Sequence, residues 1–131
     1  MSTSATCLAV LLAAGLGACA HGLAPSDDGE RTLRLGQTGD LGLVTVKPLQ
    51  VLEDSRCAEG VQCVWAGRLR VRAEIEPPIG GHERVLTLGE EQTIAGGQLV
   101  LKEAAPDPAA GGTIDPADYR LVFYYRMPRP E

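Results

Sequence analysis

Cys57 and Cys63 stand five residues apart in the most chemically dense stretch of the chain, Leu52 to Gly67. The same stretch carries Asp54, Arg56, Glu59, Gln62 and the single tryptophan, Trp65. Two thiols at this spacing can close a structural disulfide, cycle as a redox couple or supply half of a metal site. Redox motifs usually place their thiols two residues apart, and a zinc site needs four ligands where only His21 and His82 could join the pair. A structural disulfide is therefore the expectation, with redox or metal chemistry at Cys57 and Cys63 as the alternative, and no cofactor is expected. In an oxidising compartment, closing so short a loop stabilises a fold by roughly 2 kcal/mol on the loop-entropy account.

Around the cysteines, Asp54, Arg56, Glu59, Gln62 and Trp65 form a candidate recognition loop, since a pre-ordered loop loses little entropy on binding. The same loop could act only as a staple, or as the presented strand of a secreted protease inhibitor. Trp65, next to the cysteine pair, is expected to pack its indole on the disulfide, as aromatic side chains do in sandwich cores. Catalytic signals are weak. His82 is the only histidine beyond His21, it lies in a Gly-Gly turn, and no serine follows Ser55. Asp107, Asp115 and Asp118 sit among prolines, where turn formation accounts for them. The row Arg68, Arg70, Arg72 could attract an anion, but Glu74 and Glu76 continue the same face, and charge pairing across strands explains the row. The expectation is a non-catalytic binding or structural module.

The elements that must position this loop read as strands. Apolar residues alternate with period two, Gly and Pro interrupt the runs, and no helical period is sustained. The clearest run is Arg68 to Glu76, with Leu69, Val71, Ala73 and Ile75 facing a core until Pro77-Pro78 ends it. Further strands are predicted at Thr32 to Leu35, Leu43 to Leu52 with Pro48 marking an edge or bulge, Val85 to Leu88, Gln98 to Glu103, and Tyr119 to Met127. In the last, Leu121, Phe123 and Tyr125 share one face. Gly36 to Asp40, Ile79 to His82, Ala95 to Gly97 and Ala110 to Gly112 supply turns, with Ala95-Gly96-Gly97 as a hairpin tip. Asp115 and Tyr119 in Asp-Pro-Ala-Asp-Tyr have the spacing of a tyrosine corner, whose hydroxyl bonds backbone a few residues upstream in Greek-key sandwiches. The fold expected is an all-β, antiparallel, Greek-key, immunoglobulin-like sandwich of six or seven strands over residues 32–131.

Ahead of it, an uncharged apolar run from Ala5 ends in Leu16-Gly17-Ala18-Cys19. The run has the length of a signal-peptide core and falls short of the roughly 20 apolar residues needed to span a bilayer, although no basic residue precedes it. Leu16-Gly17-Ala18-Cys19 resembles the lipobox of bacterial lipoprotein precursors. That resemblance implies removal of residues 1–18, a diacylglycerol on the Cys19 thiol, and a flexible tether over 19–31. Ala20, where an Asp would retain a Gram-negative lipoprotein at the inner membrane, implies transfer to the outer membrane, facing the periplasm. The segment Asp-Ser-Arg-Cys … Cys-Val-Trp-Ala-Gly, here Asp54 to Gly67, also resembles one that recurs in small bacterial lipoproteins and secreted proteins, a likeness that brings no activity with it.

The 113 residues after position 18 suffice for one domain, and they hold every charge: 12 basic and 17 acidic side chains, net −5. Such a balance opposes non-specific attraction to nucleic acid or to anionic lipid head groups, so membrane association is expected to come from the acyl chains. The partners expected are the membrane, through the N-terminal lipid, and a protein of the cell envelope.

Overall fold

The computed structural model describes residues 29–129, so the signal peptide, Cys19 and most of the tether lie outside the described residues. Eight strands form two four-stranded antiparallel sheets packed face to face, an all-β sandwich. They are β1 (Gly29–Leu33), β2 (Gly39–Asp40), β3 (Thr45–Asp54), β4 (Leu69–Glu76), β5 (His82–Thr87), β6 (Glu91–Ile94), β7 (Gly97–Ala105) and β8 (Arg120–Arg126). One sheet runs β1-β8-β7-β6 and the other β2-β3-β4-β5.

Alternation decides which residues meet between the sheets. Leu69, Val71, Ala73 and Ile75 of β4 are completely buried, and Leu121, Phe123 and Tyr125 of β8 face them with Leu99 and Leu101 of β7. The outward charges of β4 are met by neighbouring strands: Arg70 lies 3.8 Å from Glu53, Arg72 3.9 Å from Glu83, and Arg68 bonds Glu53 at 2.9 Å. The arginine row is therefore part of a cross-strand ladder. Pro48 is buried and marks a shift of register in β3 against β4, as a residue without an N–H should. Its carbonyl accepts from Gly36, beyond the reach of the two-residue β2.

The connectivity differs from the Greek key expected. Within the sheets β2 to β5 and β6 to β8 each lie beside their sequence neighbours, β1→β2 and β5→β6 pass between sheets, and β1 pairs with β8. The β5–β6 link has only Leu88, Gly89 and Glu90, too short for the long return a Greek key requires, so the chain proceeds as a meander. Gln92 bridges this open side by donating to the Val85 carbonyl at 2.6 Å. The β6–β7 hairpin turns on Ala95 and Gly96, both at positive φ, the pairing that matches strand twist. The sheet also begins earlier than expected. Gly29, Glu30 and Arg31, assigned to the tether, pair with Tyr125, Tyr124 and Phe123.

The two ends of the sandwich carry different loops. At the disulfide end lie the β3–β4 and β7–β8 connections, because Asp54 pairs with Leu69 and Ala105 with Arg120. At the entry end the described chain begins, since Gly29 pairs with Tyr125, and the β4–β5 and β6–β7 turns lie with it. Eight residues of β4 separate the ends by roughly 25 Å at strand rise.

Candidate functional site

The disulfide end is built upon Asp54, the last residue of β3. Two residues on, Arg56 points the same way along an extended chain and closes a two-pronged ion pair: Nε donates to Asp54 Oδ1 at 2.8 Å and Nη2 to Oδ2 at 2.9 Å. Both side chains are only 11% exposed. The remaining guanidinium donors reach the opposite sheet and the loop after it, Nη1 to the Ala104 carbonyl at 2.9 Å and Nη2 to that of Pro106 at 3.1 Å. From the other side Tyr119 donates its hydroxyl to Asp54 Oδ2 at 2.7 Å.

One carboxylate, one guanidinium and one phenol thus join β3 to β7 and to the start of β8. The Arg56 hydrogen bonds hold the Asp54 carboxyl below its usual value against the opposing effect of burial, and the Tyr119 hydroxyl adds to the lowering. Asp54 in turn raises Arg56. Burial first, and then the bond to Asp54, push the Tyr119 phenol up to about 12. The triad is therefore ionised at Asp54 and Arg56 and neutral at Tyr119 across the physiological range.

This arrangement corrects two expectations. Asp54 and Arg56 are turned into the structure and saturated, not presented for recognition. Tyr119 does not form a corner with nearby backbone, because its hydroxyl bonds a residue 65 positions away. Asp115 caps the short 3-10 turn Pro116–Asp118 by accepting from Ala117 N at 2.8 Å. That turn sets the direction in which Tyr119 enters the sandwich.

Beyond the triad, the loop is pinned at its neck. Ser55 N donates to the Arg68 carbonyl at 2.9 Å, and Arg68 N to Ser55 Oγ at 3.0 Å. Gly67 fits only because it has no side chain, since a Cβ there would run into the Ser55 carbonyl. Cys57 and Cys63 are bonded, with Cα atoms 5.9 Å apart, which bears out the pairing read from the sequence. Glu59 N donates to the Pro108 carbonyl, fastening the loop to its neighbour. The side chains of Glu59 and Gln62 are exposed, as a recognition role requires.

Trp65 departs most from expectation. It does not pack on the disulfide: it is 82% exposed, and Val64 beside it 90%. The two project from a braced loop next to a shallow open cleft formed with Glu53, Ser55, Cys63 and Arg68. Among the described residues no three His, Cys, Asp or Glu side chains converge as metal ligands, and His82 lies at the entry end, remote from the cysteines.

Compared with known proteins, the chain matches no family model, no curated protein and no solved structure. The site is thus read from its own geometry. The sequence reading missed the Asp54–Arg56–Tyr119 triad. The available signal was the Asp-x-Arg spacing at a strand end, which puts an acid and a base on one side of an extended chain.

Proposed function

We propose that the protein is a lipid-anchored, non-catalytic module of the cell envelope that binds a partner through the tip of its disulfide loop. The observation that carries this reading is the exposure of Val64 and Trp65 on a loop braced by a disulfide, at the end of the sandwich opposite to where the chain enters. Trp is a frequent anchor of protein interfaces, and a tip already ordered keeps the entropy cost of binding small. The lipobox supports attachment through Cys19, with Ala20 supporting the outer membrane, periplasmic side. Several acyl chains on one residue hold a protein durably where one chain does not.

Support for a non-catalytic role comes from the site itself. The groups best suited to acid–base work at this end, Asp54, Arg56 and Tyr119, bond one another, and the Asp54 and Arg56 side chains are only 11% exposed. Glu59 and Gln62 flank the apolar tip as its polar rim.

The test is quantitative crosslinking of the mature protein in envelope extract, comparing the native chain with Trp65→Ala. A saturable partner whose recovery falls by at least about tenfold in the variant is the expected outcome for loss of an anchor residue. Equal recovery by both proteins sinks the reading, as does an intact mass without acyl groups for its anchoring half.

A further inference from the structure

The entry end carries its own exposed apolar group. Ile79, in the β4–β5 turn, is 91% exposed, Leu43 before β3 is 41% exposed, and Met127 after β8 is 48% exposed. Leu43, Pro77, Pro78 and Ile79 border an open cleft of about 380 Å³ that His82 and Arg84 also line. A single exposed apolar residue is ordinary, but Leu43, Pro77, Pro78 and Ile79 share one cleft, and grouped apolar exposure of this kind marks a contact surface.

We propose that this end is a membrane-docking face, with Ile79 seated in the interfacial layer of the bilayer that holds the acyl anchor and the disulfide end turned away from it. The proposal rests on the lipoprotein reading and deepens it by fixing how the domain sits. Three observations select a lipid surface as the occupant.

The first is the chain path. Gly29, the first described residue, is packed at this end against the backbone of Leu41. Only Ala20 to Asp28 separate it from Cys19. Nine residues reach at most about 30 Å when fully extended. The entry end is thereby held within about 30 Å of the anchor, whereas the disulfide end can stand a further sandwich length, roughly 25 Å, beyond it.

The second is charge. The disulfide end sets the exposed carboxylates of Glu59, Asp107, Asp115 and Asp118 against the exposed guanidinium groups of Arg34 and Arg68, an acidic excess. The entry end sets Arg84, Arg126 and Arg129 against Asp40, Glu76 and Glu83, a balance. An anionic surface therefore repels the first end more strongly than the second and turns the molecule accordingly.

The third is the form of the patch. A protruding branched residue flanked by prolines, without a deep pocket, suits shallow insertion of an apolar tip among headgroups, the depth at which peripheral apolar segments rest.

The native tryptophan makes the test direct, because Trp65 lies at the far end. The acylated full mature protein is reconstituted in vesicles whose lipids carry brominated acyl chains, as the native chain and as Trp65→Phe combined with Ile79→Trp. Native emission is expected to remain unquenched and the relocated tryptophan to lose about half its emission, as contact within the interfacial layer implies. Trp65→Phe with Leu43→Trp repeats the measurement at a second position of the same patch. If the protein is acylated and vesicle-bound but neither relocated tryptophan is quenched, the docking face is wrong, and a protein is left as the occupant of that end. Quenching of Trp65 instead reverses the orientation and also overturns it. A chain that carries no acyl group and stays free of vesicles fails the lipoprotein reading itself, an outcome separable by mass and flotation.

Discussion

The neck and the tip of the β3–β4 loop are only a few residues apart in sequence and opposite in physical character. At the neck, Asp54 and Arg56 are charged and nearly buried, each bonded on several sides. At the tip, Val64 and Trp65 are apolar and almost wholly in solvent. Ordinary solvation would place each pair where the other is. The inversion teaches that the charges of this loop serve architecture, because a nearly buried ion pair held by several further hydrogen bonds fixes the geometry between the sheets. The apolar tip serves no architecture, and its exposure is tolerable only because the neck holds it away from the core.

If that division is right, breaking the neck costs stability and breaking the tip does not. Arg56→Met leaves the Asp54 carboxylate buried beside Tyr119 without its counter-ion and should destabilise by about 3–5 kcal/mol in urea unfolding. A loss below about 1 kcal/mol would place the pair among ordinary surface bridges. Replacing both Cys57 and Cys63 by Ser should cost about 2 kcal/mol, in keeping with so short a closed loop, and the same unfolding curves measure it.

The pH dependence sharpens the comparison further. Asp54 is lowered in the folded state, so its contribution is complete above the ordinary carboxyl range near about 4 and is lost as pH falls through the lowered value. Tyr119 is raised from 10.0 to about 12, so its contribution is whole below pH 10 and disappears as pH rises through 12. Tyr119→Phe should cost about 1 kcal/mol at neutral pH for the lost hydrogen bond and flatten stability between pH 10 and 12. Tyr125, whose phenol is also raised by burial, leaves a residual slope there. A variant with the native alkaline profile would remove Tyr119 from the triad. Trp65→Ala should change stability by less than about 0.5 kcal/mol, as for any free surface residue. A clear loss in thermal unfolding would show the tip to be part of the scaffold.

The parts of the fold legible in the sequence were those where one residue in two is apolar over a long run. β4 and β8 meet that condition, and their buried faces are those read from Leu69 to Ile75 and from Leu121 to Tyr125. β2 is two residues long, and β6 buries only Ile94 among its four residues, so neither carries a period to detect. The disulfide was legible because two thirds of its argument is arithmetic. The triad was not, because Tyr119 meets Asp54 across 65 residues and charged residues beside cysteines look like solvated loop. Trp65 was misplaced by a general rule, that large aromatics seek cover, which local bracing overrode.

The pairing of β1 with β8 has a bearing on how such a chain becomes a protein. The earliest described strand finds its partner only in Arg120–Arg126, so its backbone groups stay bonded to water until that strand is present. Local hairpins can form sooner, but the β1–β8 pairing, between the first and last described strands, forms last. A chain threaded through a membrane from its N-terminus would remain open, and so transportable, until its final strand arrived on the far side.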